Sequence, residues 1–154
     1  MQLSPNLSLA EVTKSATAIR NGIANTPSVT HLIALKAVAN NIFQPLRNHF
    51  GVPIAITSGY RSEALNDFIG GSKKSQHSKG ETLDIDGDVF GKVSNPEIFH
   101  YIKVHLDFDQ LIWEFGNDEN PDWVHCSYKE EGNRREVLVA YKDNGKTRYK
   151  HYEM

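Results

Sequence analysis

The clearest pattern of hydrophobic positions lies between residues 32 and 50, where apolar side chains recur at steps of three and four. This spacing predicts a long amphipathic helix that ends at Gly51. We expect Thr26-Pro27-Ser28 to open the helix, with proline at its first position. Pro45 lies inside the pattern, so a kink or a break is predicted near it. The apolar positions are Leu32, Leu35, Val38, Ala39, Ile42, Leu46 and Phe50.

Three further helices are predicted from residues suited to helix starts. Ser8 and Glu11 have the spacing of a capping box. A short helix is predicted for Ser62 to Phe68, and Asn95-Pro96-Glu97 opens one that runs to about His105.

Alternation with a period of two predicts a strand at Leu83-Asp84-Ile85-Asp86, with both carboxylates on one face. The turn Asp143-Asn144-Gly145-Lys146 predicts a C-terminal hairpin. Because helices come first and strands follow, we expect an α+β fold in which N-terminal helices pack on a small antiparallel sheet. Further strands are expected at residues 52–58, 109–115, 123–128, 136–142 and 147–152.

Composition narrows the class of protein. A chain of 154 residues suits one domain, residues 1–154, and we expect a monomer. A formal charge of -2 gives no basic surface for nucleic acid. The only cysteine, Cys126, excludes an intramolecular disulfide and is expected to be buried. No segment resembles a signal peptide or a membrane span, so synthesis as a soluble cytoplasmic protein is expected.

Two histidines and a carboxylate form a candidate metal site. His77 lies among turn-forming residues, Asp84 follows seven positions later on a strand, and His125 lies on a later strand. Such a set can bind one Zn²⁺ per chain and leave the fourth position open for water, which is the catalytic pattern.

Two other residues are candidates for catalysis. Asp122 lies three positions before His125, where a carboxylate could pass a proton from water to a leaving amine. Arg61 follows a Gly-Tyr turn and could bind a carbonyl oxygen as it gains charge. Taken alone, Asp122 is better explained as a turn residue and Arg61 as part of a surface ion pair. Glu114 is the next candidate base.

A second ion site is a further alternative. Asp86 and Asp88 lie in a segment that resembles a calcium-binding loop. The segment departs from the EF-hand template in the position of its glycine and at its twelfth position.

Four segments together resemble a known family. Ser58-Gly59-Tyr60-Arg61-Ser62, Ser75-Gln76-His77 with Asp84, Phe108-Asp109-Gln110-Leu111-Ile112, and Trp123-Val124-His125 occur in this order. They are similar to the zinc D-alanyl-D-alanine carboxypeptidase family. That family includes L-alanyl-D-glutamate endopeptidases of bacteriophages and is related in fold to lysostaphin-type peptidases and the hedgehog signalling domain.

The resemblance implies a role for each matched residue. His77, Asp84 and His125 match the zinc ligands, Asp122 the general base and acid, and Arg61 the arginine that steadies the carbonyl. Ser75 and Gln76 match motif positions beside the metal and are candidate substrate contacts. The chain departs from the pattern at Asp86, where an apolar or small residue is frequent, and at Asn120, where some relatives have histidine.

The implied activity is hydrolysis of an amide in the peptide stem of peptidoglycan, and the layout suggests no separate wall-binding module. Relatives with this layout resemble phage or prophage endolysins that reach the periplasm and cell wall after a holin opens the membrane. A virion-borne lysin, a bacterial dipeptidase or carboxypeptidase acting on D-Ala-D-Ala, and a non-catalytic zinc-binding domain stay open as alternatives. The sequence does not indicate which stem bond is cut.

Overall fold

A computed structural model gives the fold and describes residues 1–153. The chain begins with a two-stranded hairpin and two short helices, and then forms one long, interrupted helix. The elements of this half are β1 (Gln2–Ser4), β2 (Leu7–Ser8), α1 (Leu9–Thr13), α2 (Ala16–Arg20), α3 (Val29–Val38), a π-helical segment (Ala39–Phe43) and α4 (Gln44–Phe50).

The second half of the chain contains the other strands, and two helices lie between them. No helix within residues 1–153 is long and apolar enough to span a membrane. The elements are β3 (Ala55–Ser58), α5 (Glu63–Phe68), a 3-10 turn (Gln76–Lys79), β4 (Thr82–Asp86), α6 (Asn95–His105), β5 (Gln110–Glu114), β6 (Trp123–Ser127), β7 (Glu136–Asp143) and β8 (Lys146–His151).

Side-chain caps set most helix starts as predicted. Ser8 and Glu11 form the capping box of α1, and Ser62 caps α5. The predicted start of the long helix is wrong in one detail. Ser28 is the N-cap and Pro27 precedes it, because the serine side chain accepts the backbone N–H of His31 at 3.2 Å.

The predicted irregularity near Pro45 is confirmed as the π-helical segment Ala39–Phe43. Pro45 lies in the first turn of α4, directly after this segment. Proline has no N–H to donate and its ring crowds the preceding turn, so a locally wider helix relieves both problems. Gly51 ends α4 in the left-handed conformation, as predicted.

The main sheet has six strands in the order β3-β4-β6-β5-β7-β8. The prediction of an antiparallel sheet is wrong at one place, because β5 and β7 pair in parallel. β6 ends beside the start of β5. The following segment stays at this end of the sheet, and β7 begins with Glu136 opposite Gln110. The expected order of helices before strands is also wrong, since α5 and α6 separate strands of the sheet. The fold is therefore mixed α/β, with a six-stranded and a two-stranded sheet.

The two faces of the central strands differ in chemistry. Leu83, Ile85, Val124 and Cys126 belong to the buried hydrophobic core, together with residues of α3, α4 and α6. Side chains alternate along a strand, so the residues between them point to the opposite face. Cys126 is fully buried on the face opposite His125, as predicted. The face away from these core residues carries the candidate site.

Candidate metal centre

Two of the predicted ligands face each other across adjacent strands. Asp84 of β4 is the direct antiparallel partner of His125 of β6, and such partners have side chains on the same face. The Nδ1 atom of His125 lies 3.1 Å from Oδ1 of Asp84. The third ligand, His77, comes from a turn and completes the group, since its Nε2 lies 3.3 Å from Oδ2 of Asp84.

Local structure fixes the orientation of the His77 ring. The hydroxyl of Ser75 accepts the backbone N–H of His77, and Gly80 ends the turn with a φ of 74°. A side chain at Gly80 would bring its Cβ within 2.6 Å of the carbonyl oxygen of His31. Nδ1 of His77 lies 2.6 Å from the carbonyl oxygen of Gly59. A carbonyl only accepts, so Nδ1 carries the hydrogen and Nε2 is left free to bind a metal.

A buried threonine fixes the His125 ring in a similar way. The hydroxyl of Thr82 donates to the carbonyl of Cys126 at 3.0 Å and lies 3.1 Å from Nε2 of His125. Because its one hydrogen is already donated, the hydroxyl oxygen accepts from Nε2–H. Nδ1 of His125 is then the atom that faces Asp84 and is free to bind a metal.

The donor set fits a zinc ion. One donor atom from each of His77, Asp84 and His125 lies within 4.8 Å of the others, and within residues 1–153 no other group of three or more potential ligands meets this criterion. Burial raises the pKa of Asp84, but in the metal-free protein the two neighbouring histidines, His77 most strongly, outweigh that effect and hold the pKa well below its usual range. Two imidazoles and an ionised carboxylate are typical of three-ligand zinc sites.

Arg61 lies beside this group. Its backbone N–H donates to the carbonyl of His77 at 3.2 Å. Burial lowers the pKa of the Arg61 guanidinium and the charge of Asp84 raises it. Its Nε is fully buried and has no hydrogen-bond partner within the described part of the chain. The guanidinium is therefore near the carboxylate ligand and has a donor available.

The two candidate bases differ in their placement. Asp122 is exposed directly before β6, and its backbone N–H donates to the carbonyl of Glu114 at 2.8 Å. Glu114 pairs with Trp123 in the sheet and lies two positions along β5 from the residue that pairs with His125. Its side chain is therefore on the same face of the sheet as Asp84 and His125. It is 7% exposed, and burial raises its pKa to about 7, with His125 lowering and Asp84 raising that value.

The two predicted substrate contacts, Ser75 and Gln76, both support the turn that carries His77. The Gln76 amide donates to Oδ2 of Asp109 at 3.0 Å. Asp109 is fully buried and also accepts two hydrogen bonds from the Arg134 guanidinium, at 3.0 and 2.9 Å. Their contact with substrate stays a prediction. The sequence analysis quotes Asp109 only within a motif segment and does not predict its pairing with Arg134, because the two residues are 25 positions apart in the chain.

Asp86 and Asp88, the alternative ion site, are engaged in a local network. Oδ1 of Asp86 accepts from the backbone N–H of Asp88 and from the amide of Asn95, both at 3.0 Å. Within residues 1–153 neither aspartate belongs to a group of three potential metal ligands. The network instead links the end of β4 to the start of α6.

Comparison with known families adds to this geometry. The model of the Peptidase M15 family matches residues 5–127, which is most of the chain and includes every candidate site residue. This chain belongs to the peptidase M15 family. No curated protein matches it. Membership of the M15 family, together with the group formed by His77, Asp84 and His125, indicates a zinc peptidase.

Proposed function

We propose that this M15 peptidase hydrolyses an amide bond in the peptide stem of bacterial peptidoglycan. The observation that carries the proposal is the three-donor group with Arg61 beside it. A binding domain has no need of an unpaired guanidinium donor next to the ligands. The order and spacing of the motifs, which resemble the D-alanyl-D-alanine carboxypeptidase family, support the choice of substrate.

Each residue of the site has a role in this proposal. His77, Asp84 and His125 would hold one zinc ion, which when bound would polarise the substrate carbonyl and make water a better nucleophile. Arg61 donates to the carbonyl oxygen as negative charge develops there. A carboxylate accepts the proton of the attacking water, and the resemblance indicates Asp122 for this role.

A groove that includes Arg61 supports a peptide substrate. It has a volume of about 720 Å³ and is lined by Arg61, by β3 and by the exposed side chains of Val89 and Phe90, among others. β3 is an edge strand of the main sheet, and an extended peptide can bind to such an edge through main-chain hydrogen bonds. The stem peptide would lie in this groove with its scissile carbonyl near Arg61.

The biological context that we propose is lysis of a bacterium by a phage or prophage endolysin. The protein would act as a monomer on stem peptides in the periplasm or cell wall and would reach them after a holin opens the membrane. The family resemblance and the motif layout support this context.

A turbidity assay tests the proposal. Zinc-loaded protein is added to permeabilised Gram-negative cells, and the fall in optical density is followed over time. An endolysin lowers the optical density, and a His77→Ala, His125→Ala variant does not. A dipeptidase that acts on free D-Ala-D-Ala, or a non-catalytic zinc domain, leaves the walls intact, and adding the free dipeptide as substrate separates these two alternatives.

A further inference from the structure

A buried carboxylate, Asp109, lies between the two elements that carry the histidine ligands. It is fully buried and directly precedes β5. Its side chain accepts a hydrogen bond from the Gln76 amide at 3.0 Å, and Gln76 is the residue before His77. Its backbone N–H donates to the carbonyl of Ser127 at 2.9 Å, and Ser127 lies two positions after His125 on β6. Asp109 therefore joins the turn of His77 to the strand of His125.

Gln76 is in turn fixed to the backbone around His77. Its carbonyl accepts the N–H of Gly80 and the N–H of Glu81, the latter at 3.1 Å. These hydrogen bonds close the turn that carries His77. A displacement of Gln76 would move the backbone of His77, and with it the ring whose Nδ1 bonds the carbonyl of Gly59. The Gln76 amide is therefore placed to control where Nε2 of His77 points.

Arg134 fixes the Asp109 carboxylate. Its guanidinium donates from Nε to Oδ1 at 3.0 Å and from Nη2 to Oδ2 at 2.9 Å, which is a bidentate pair that sets direction as well as distance. Oδ2 accepts from both Arg134 and Gln76. The arginine therefore orients the same oxygen that the Gln76 amide contacts. Arg134 is about half exposed and lies outside residues 5–127, the segment that the family model matches.

We infer that Asp109, held by Arg134, is a positioning residue for the metal ligands. It is not one of the three donors and acts on His77 through Gln76. Residues that hold metal ligands from behind typically change metal affinity by about ten- to a hundred-fold, because they orient the ligands before the ion binds. The inference rests on the ligand assignment and is independent of the substrate.

Zinc affinity of two neighbouring arginine variants tests this role. Arg134→Ala is compared with Arg135→Ala. The Arg135 guanidinium is also about half exposed, but it donates to the carbonyls of Leu106 and Lys103. Competition with a chelator gives the affinity, and urea unfolding of the metal-free proteins gives the stability. We expect zinc to bind about ten-fold more weakly to Arg134→Ala and within about two-fold of wild type to Arg135→Ala, even if both variants lose stability. Equal zinc affinity in the two variants would overturn the inference.

A double variant tests the route through Gln76. Gln76→Leu removes the amide that bonds Asp109 and should weaken zinc binding by about ten- to a hundred-fold. Adding Arg134→Ala to Gln76→Leu should cause little further loss, because both changes break the same link. Losses that multiply in the double variant would contradict this route, since they would show two independent effects.

A conservative variant adds a rescue test. Arg134→Ala should still fold, because its backbone N–H and Lys129, 3.9 Å from Oδ2, stay beside the Asp109 carboxylate. Arg134→Lys should recover part of the zinc affinity, since lysine keeps the charge but lacks the bidentate guanidinium. It replaces Arg134→Ala in both comparisons if that variant fails to fold.

These measurements need no substrate. If the wild-type protein binds zinc but does not cut stem peptides, the proposed function fails and the zinc affinities still decide the inference. If Arg134→Ala and Arg135→Ala bind zinc equally well, the inference fails and the proposed function is unaffected.

Discussion

Asp84 and His125 face each other directly across β4 and β6, with Oδ1 of Asp84 3.1 Å from Nδ1 of His125. The other carboxylate oxygen, Oδ2, lies 3.3 Å from Nε2 of His77. Asp84 therefore links the two histidines, one from a strand and one from a turn. Each imidazole donates its other N–H to a fixed protein oxygen, so both rings are oriented before a metal arrives.

The first prediction concerns metal content. Purified protein should bind about one zinc ion per chain, because the three donors form a single site. Inductively coupled plasma mass spectrometry measures the ratio. A double variant, His77→Ala with His125→Ala, should lose the ion, while His49→Ala with His151→Ala, outside the site, should keep it. Stoichiometric zinc in the first double variant would refute the ligand assignment.

The second prediction concerns Thr82, the acceptor for Nε2–H of His125. Thr82→Val keeps the shape of the side chain but removes the hydroxyl, so the His125 ring loses the contact that orients it. We expect zinc affinity to fall by about ten- to a hundred-fold. Competition with a chelator measures the affinity. Thr147→Val, at an exposed position on β8, is the matched control. Equal zinc affinity in wild type, Thr82→Val and Thr147→Val would contradict the role of Thr82 in orienting His125.

The third prediction concerns stability in acid. Burial raises the pKa of Asp109, but hydrogen bonds from Arg134 and Gln76 outweigh it and lower that pKa from 3.8 to about 2. Asp109 therefore stabilises the fold fully above about pH 4, and this contribution disappears as the pH falls through about 2. Its size is on the order of 1–2 kcal/mol, since Arg134 is half exposed.

Urea unfolding at several pH values checks this dependence. Asp109→Asn should be less stable than wild type at pH 6, and the difference should shrink as the pH approaches 2. Asp107→Asn changes an exposed carboxylate two positions away and should have little effect. A stability difference between Asp109→Asn and wild type that stays constant from pH 6 to pH 2 would contradict this explanation.

The fourth prediction concerns Arg61. Arg61→Ala removes a donor to the developing oxyanion, so turnover of stem peptides should fall by about a hundred- to a thousand-fold while zinc stays bound. Arg61→Lys should recover part of the loss, because it keeps the positive charge but lacks the planar guanidinium. Arg148→Ala, exposed on β8, is the control. Wild-type turnover in Arg61→Ala would make Arg61 a structural residue only.

The sequence predicts the local elements well, because their signals lie within a few residues. Ser8, Ser62 and Gly51 mark the ends of helices, and the alternation at Asp84 and Asp86 marks a strand. The parallel pairing of β5 and β7 could not be predicted from such local signals. It depends on where the chain passes after β6, which is fixed by contacts such as Asp109 with Arg134 across 25 positions.

The same distinction applies to the site. His77, Asp84 and His125 were predicted from spacing and resemblance, and the structure brings their donor atoms together. The spacing placed Asp122 ahead of Glu114, because Asp122 is close to His125 in the chain. That Glu114 shares the face of the ligands depends instead on the register of β5 and β6. A single sequence carries no direct signal of that register.

Mass spectrometry of muropeptides after digestion tests the central claim most directly. Purified peptidoglycan is incubated with the zinc-loaded protein, with the metal-free protein, and with the His77→Ala, His125→Ala variant. We predict that only the first releases new stem fragments, and their masses identify the bond, since loss of one alanine differs from separation of L-alanine and D-glutamate. Intact stems after incubation with fully zinc-loaded, folded protein would contradict the claim that this M15 peptidase cuts the peptidoglycan stem.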